Sequence, residues 1–422
     1  MTTPAGTELL IAGGNRLQGT VRVSGAKNSA LKLLACSLLA PGTTTLENVP
    51  DVSDIATMIA VLEAMGVSTE RSDHAVSLDV PAELDPVASY ELTSRMRASI
   101  QVLGPLIARC GHARVAMPGG CNLGSRKLDM HLAALELMGV EFENDHGDLV
   151  ATAPELHGAR IVLEFPSMGA TENVLLAAMG TSDEVEIENA AREPEIADLA
   201  KMLSAMGAEV EGAGTTSIRM RGTADASPVT QSVIPDRIEA GTYVVAAAMT
   251  DGDIRIEGCV PEHLEVFLHK AEQIGVEAGT GDGSITARRA AAGLRCSDVM
   301  TLPYPGFPTD LQPQTVAMLC LADGASVVTE NVFDGRFQFV NELNRMGADV
   351  RTEGRHAVVS GPQHFSGAPV EAPDIRAGAA LVCAALCAEG ESRVTNVHLI
   401  DRGYDDLVAK LRGLGASIER RD

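Results

Sequence analysis

The sequence predicts an α/β fold of six repeated strand–helix–strand–helix–strand units, three in each of two domains, with sheets packed around a helical interior. Three observations carry this. A helix that ends at glycine and runs into a short strand recurs as LEAMGVSTE (62–70), LELMGVEFE (135–143), LSAMGAEVE (203–211), AEQIGVEAG (271–279), LNRMGADVR (343–351) and LRGLGASIE (411–419). The glycines, Gly66, Gly139, Gly207, Gly275, Gly347 and Gly415, are 73, 68, 68, 72 and 68 residues apart, a period that marks a repeat architecture. Upstream of each copy lies a second helix that is apolar all round, as a buried helix is.

Each element has a local cause. In the second copy Leu128, Leu132, Leu135 and Met138 step by 4, 3 and 3, one face of a helix. The glycine that follows accepts the left-handed conformation of a C-terminal cap. The all-apolar helices are predicted at 29–40, 98–110, 172–180, 240–250, 312–324 and 377–390. Strands follow them at 43–49, 113–119, 184–190, 253–259, 326–332 and 392–397. With the seam near VIPDRIEAG (233–241), the expected domains are 1–24 with 237–422, and 25–236. The N-terminal strand, which precedes the first helix, belongs with the last three units.

Composition narrows the function. At 422 residues, 45% hydrophobic and 3% aromatic with no Trp, the cores must be built from Leu, Val, Ile, Ala and Met. A net charge of −24 argues against general nucleic-acid or acidic-membrane binding, so any anion site must concentrate positive charge locally. MTTPAGTELLIAGG lacks the basic start and long apolar run of a secretory signal, and no stretch is long enough for a membrane helix. The eight cysteines form no CxxC pair, and Cys383 and Cys387 read as packed core thiols; reduced cysteines in the cytoplasm are expected.

Polar residues gather where loops enter helices. Lys27, Arg97, Arg126, Arg336, Arg376 and Arg402 sit at equivalent topological edges, where helix N-termini also present free N–H groups. If the domains face each other across these edges, the cations line a cleft with few carboxylates among them. That suits a substrate with several negative groups, phosphate plus carboxylate. PGGCNLGSRKLDMHL (118–132) sets Cys121 between a glycine pair and Arg126, a setting that lowers a thiol pKa and makes it reactive.

The sixfold unit together with GAKNSAL (25–31), RASIQVLGPL (97–106), PGGCNLGSRKLDMHL, NAAREPEIAD (189–198), PDRIEAGT (235–242), FPTDLQPQ (307–314), FDGRF (333–337), DIRAG (374–378) and HLIDRGY (398–404) resembles the enolpyruvyltransferases over essentially the full chain. The resemblance implies a fold of two inside-out α/β barrels. It also implies transfer of the enolpyruvyl group of phosphoenolpyruvate to the 3-hydroxyl of UDP-N-acetylglucosamine, the step that commits the sugar nucleotide to peptidoglycan. By the same resemblance Cys121 engages phosphoenolpyruvate and acts as acid at C3, and Asp310 is the carboxylate near the acceptor hydroxyl. Lys27, Arg97, Arg126, Arg376 and Arg402 surround phosphoenolpyruvate, with Lys27 and Arg402 counted as catalytic. Asn28, the stretch from Arg126 through Lys127, Leu128 and Asp129, Ser167, Met168, Gly169 and Arg336 complete the binding set.

The chemistry accounts for these residue types independently. Addition of a hydroxyl to C2 needs a base at the hydroxyl and an acid at C3; a carboxylate and a thiol in a cationic setting supply them. Arginines neutralise and align the anionic groups. No step requires a metal or redox cofactor, and His and Cys show no metal-ligand spacing. His131 reads as a helix-surface or site-edge residue as readily as a chemical one. Two glycines and a short polar stretch suit a mobile lid that carries Cys121 into the cleft. One departure keeps a second acceptor open: after Arg126 the family has proline and this chain has Lys127, which leaves uridine monophosphate as the alternative. A catalytically silent sugar-nucleotide sensor is the alternative of another class, and the intact Cys121, Asp310 and Arg402 argue against it.

Overall fold

The structure, a computed structural model, describes residues 6–117 and 128–421. They form six four-stranded sheets and divide into two compact units, one of residues 6–24 and 235–421, the other of 25–117 and 128–234. Each unit has its own hydrophobic core.

One sheet shows the pattern of all six. Val87–Ala88 pairs in parallel with His112–Ala116, which pairs antiparallel with Asp148–Thr152, and that strand with Glu141–Asp145. Parallel strands need a long crossover, and in four of the six sheets the apolar helix of the repeat supplies it. These helices are buried nearly throughout. In Lys27–Ser37 every residue but Asn28 is buried, and in Arg237–Met249 every residue but Arg237. The second helix of each repeat is amphipathic and ends at its glycine; all six glycines take positive φ, between +91° and +114°. That is a conformation where a Cβ is strained.

The predicted helix over 98–110 divides in two, a 3-10 segment Arg97–Val102 followed by the α-helix Leu103–Cys110. Pro105 falls in the first turn of the α-helix, the position where a missing N–H costs least. Gly104 lets this helix approach its neighbour closely, since a Cβ there would lie 2.6 Å from the carbonyl oxygen of Asn173.

Strands distant in sequence close each unit. Glu8–Ala12 pairs antiparallel with Glu391–Thr395 and Ser417–Arg421, and Gln18–Arg22 lies parallel to Asp253–Glu257. In the other unit the last strand, Thr230–Ser232, returns to lie parallel to Gly42–Glu47 of its first repeat. A recurring asparagine fixes several strand ends. Asn48, Asn189 and Asn396 all take positive φ, and their amides donate to the carbonyls of Val233, Leu163 and Ala372 on the parallel neighbour. No helix among the described residues is long and apolar enough to cross a membrane.

Candidate active site

In the unit of residues 25–234, Lys27 opens its helix and is buried, with Nζ 3.1 Å from Oδ2 of Asp54. A cation at a helix N-terminus opposes the helix dipole, and Asp54, in the first turn of Ser53–Ala64, offsets it. Asn28 beside it is half-buried, as is Arg97 at the start of its 3-10 segment. Ser167 caps the helix Met168–Ala178 by accepting from the N–H of Ala170 at 3.3 Å. Met168 and Gly169 form its half-buried first turn. Leu128 is buried, and Asp129 is exposed in the first turn of Asp129–Glu136, a favourable place for a negative charge.

His131 is not on a surface. It is 6% exposed, and Asn173 Nδ2 donates to its Nδ1 at 3.0 Å. Burial, reinforced by the charge of Arg97 and opposed by Asp129, pushes its pKa down to about 4. The ring is therefore neutral at pH 7, with its proton on Nε2. A Cβ on Gly169 would lie 3.0 Å from that Nε2, so only glycine fits against the ring without displacement.

In the unit of residues 6–24 and 235–421, Asp310 joins two arginines that are 26 and 66 residues away in sequence. Its Oδ1 accepts from Arg336 Nη2 at 2.8 Å, and its Oδ2 accepts from Arg376 Nε at 3.2 Å. The arginine side chains are 1% and 4% exposed, whereas the carboxylate is 25% exposed. Arg336 also donates to Thr309 Oγ1 at 2.8 Å, and Thr309 donates in turn to the buried Glu330. Glu330 Oε1 accepts from Thr301 and from the backbone N–H groups of Val332 and Phe333. Burial works against the charge of Arg376, but Tyr404 and Asp310 hold its pKa above the ordinary value. Its guanidinium lies over the Tyr404 ring, 5.3 Å from the centroid. Arg402, two residues before Tyr404, is half-buried.

The sequence pattern suggested few carboxylates among the cations. Instead Lys27 carries Asp54, and Arg336 and Arg376 share Asp310. The pairing follows from burial: a buried cation without a partner is costly. Thr309, Glu330 and Tyr404 escaped the sequence reading, as did Asp54. Glu330 follows the strand Gly324–Thr329 between Thr329 and Asn331, and nothing in that polar neighbourhood sets it apart. Cys121, Arg126 and Lys127 lie outside the described residues. Among the described residues, no group of three or more His, Cys, Asp or Glu side chains is placed to hold a metal ion. Cys383 is buried in the helix Ile375–Cys387, and Cys387 is partly buried at its end.

Residues 11–411 match the family model for EPSP synthase (3-phosphoshikimate 1-carboxyvinyltransferase). The chain belongs to this enolpyruvyltransferase family. Within it, the chain is 48% identical over 414 residues to the UDP-N-acetylglucosamine 1-carboxyvinyltransferase of Corynebacterium jeikeium, covering 97% of this chain and 98% of that one. It is 49% identical over 411 residues to the protein of the same name from Mycobacterium tuberculosis, at 97% and 98% coverage. Among solved structures, the enolpyruvyl transferase NikO from Streptomyces tendae superposes with a TM-score of 0.90 at 28% identity, covering 99% of each chain. An EPSP synthase from Acinetobacter baumannii shares the fold, with a TM-score of 0.72 at 20% identity, 99% of this chain and 100% of that one being covered. The fold is the inside-out α/β barrel of the enolpyruvyltransferases, the helical interior in each unit being ringed by its three sheets.

Proposed function

We propose that this enolpyruvyltransferase takes phosphoenolpyruvate and UDP-N-acetylglucosamine, transfers the enolpyruvyl group to the sugar 3-hydroxyl and releases phosphate, in the cytoplasm. The observation that carries the reading is near-identical length and 48–49% identity with relatives of that name. The Asp310 constellation supports it: a part-exposed carboxylate held by two buried arginines is oriented to accept a hydroxyl proton.

The residue roles follow the chemistry. Asp310 takes the proton of the 3-hydroxyl as its oxygen attacks C2 of phosphoenolpyruvate. Cys121 delivers a proton to C3, giving a tetrahedral adduct. Lys27, Arg97, Arg126, Arg376 and Arg402 neutralise the phosphate and carboxylate and hold them in line. The adduct then loses phosphate and a C3 proton, which regenerates the enol double bond on the new ether. Asn28, Lys127, Leu128, Asp129, Ser167, Met168, Gly169 and Arg336 hold the sugar nucleotide.

The test is an acceptor screen that follows phosphate release from phosphoenolpyruvate with UDP-N-acetylglucosamine, uridine monophosphate or shikimate 3-phosphate. Release with UDP-N-acetylglucosamine at least tenfold faster than with either rival is the expected result. Preference for uridine monophosphate would move the acceptor assignment to the alternative that Lys127 raises, and saturable binding with no release would make the chain a sensor.

A further inference from the structure

Beneath the Ser167–Gly169 turn lies a buried polar chain that none of the roles above uses. Gln101, 3% exposed, shares one amide nitrogen between two acceptors: the carbonyl oxygen of Gly169 at 3.2 Å and Oε2 of Glu172 at 3.1 Å. Glu172, 1% exposed, faces Lys32 with Nζ 3.5 Å from its Oε1. Burial pushes Glu172 up to about 8, with Lys32 pulling the other way and Glu195 and Glu193 adding to the rise. A titratable pair sunk this deep adds little to stability over an apolar replacement, so its use has to be sought in what it orients. What Glu172 orients is the Gln101 amide.

A second set of contacts holds the same turn. Asn173 donates to His131 Nδ1 and to the carbonyl of Ile100 at 3.2 Å, and its Oδ1 accepts from the N–H of Gly104 at 3.0 Å. With its ring so held, His131 packs against the Gly169 Cα, and Gln101 Nε2 lies 3.3 Å from where a Gly169 Cβ would be. Gly169 is thus gripped by its carbonyl and walled by an imidazole, with no slack in either direction.

We infer that Gln101, oriented by the buried Glu172–Lys32 pair, is a positioning residue for the acceptor: it fixes the Gly169 carbonyl and thereby the turn that presents Ser167, Met168 and Gly169 to the sugar nucleotide. The inference rests on the proposed role of residues 167–169 in holding that nucleotide. Gln101 is buried beneath the turn, so its effect falls on acceptor affinity and not on the chemical step.

Steady-state kinetics of Gln101→Met, Gly169→Ala and the Lys32→Met/Glu172→Gln double variant, each with its thermal midpoint, tests it. Gln101→Met keeps the volume and removes the hydrogen bonds. It should raise KM for UDP-N-acetylglucosamine about tenfold, equivalent to about 1.4 kcal/mol. KM for phosphoenolpyruvate and kcat should stay within about twofold of wild type. The double variant keeps an amide oxygen facing Gln101 and removes both titratable groups, so its acceptor KM should stay near wild type. Gln101→Asn, too short to bridge both acceptors, replaces Gln101→Met should that variant not fold, with the same expected split. An unchanged acceptor KM in Gln101→Met beside a raised one in Gly169→Ala overturns the positioning role while sparing the turn. Parallel rises in both KM values with a lowered midpoint reduce Gln101 to a structural residue. An unchanged acceptor KM in Gly169→Ala refutes the assignment of residues 167–169 itself, and the inference falls with it.

Discussion

Asp310→Asn removes one negative charge from between two buried positive ones, and the structure sets the size of the consequence. The carboxylate lies 2.8 Å from Arg336 Nη2 and 3.2 Å from Arg376 Nε, with the guanidinium groups almost wholly buried. Charge centres about 4–5 Å apart at an effective dielectric of about 20 attract by roughly 3–4 kcal/mol per pair. Two pairs give an upper figure of about 7 kcal/mol. Three terms reduce it. The asparagine oxygen still accepts one of the two hydrogen bonds, the native carboxylate gives up part of its hydration, and it is 25% exposed and therefore partly screened. A loss of about 3 kcal/mol is expected, at the low end of what breaking a buried pair costs. Urea denaturation at low ionic strength reads it as a lowered midpoint for the transition of the unit that carries Asp310. The uncompensated cations then bind anions more tightly, so millimolar phosphate should recover more stability in the variant than in wild type. Turnover should fall at least a hundredfold with KM for UDP-N-acetylglucosamine changed less than fivefold, because the group lost is the proposed base. Wild-type stability with no added response to phosphate would show that Asp310 does not neutralise these arginines. An acceptor KM that rose in step with the fall in kcat would assign it to recognition instead.

Two further outcomes are expected. Cys121→Ala should lower kcat at least a hundredfold while the thermal midpoint stays within about 2 °C, and wild-type turnover would remove the thiol from the mechanism. His131, whose pKa falls from 6.5 to about 4 on folding, binds its proton in the unfolded chain before it does so in the folded one. Its contribution is therefore fully present above pH 6.5 and is lost as pH falls toward 4, at most about 3 kcal/mol for a shift of this size. Denaturation midpoints of wild type and His131→Asn between pH 7 and 4.5 should converge as pH falls, and parallel curves would refute a neutral buried imidazole.

What could be read from the sequence, and what could not, divides along one physical line. Hydrophobic periodicity sees the parts of elements that face the core. It found the apolar helices, but placed their starts at 29, 172, 240 and 377, where they begin at Lys27, Met168, Arg237 and Ile375. The missed first turns carry Lys27, Gly169 and Arg376, with Ser167, Asp236 and Asp374 as caps, and so break the apolar pattern. The proposed site is built on helix N-termini, where apolar patterning is blind, and charge in register across repeats is the signal it was proposed from. Pairing is a different matter. That Asp310 binds Arg336 and Arg376 depends on which loops folding brings together, and nothing in either sequence neighbourhood specifies it. The neutral contributors were the least visible. Gln101 and Asn173 sit within helices whose apolar neighbours explain them as interior, His131 reads as a helix-surface or site-edge residue, and the repeated strand-end asparagines at 48, 189 and 396 look like ordinary turn residues. Each works through an amide or imidazole whose partners are backbone groups or neutral side chains, apart from the contact of Gln101 with Glu172. Neutral hydrogen bonding leaves no charge pattern in a sequence, so in this fold the residues that hold the site in shape are harder to read than the residues proposed to do its chemistry.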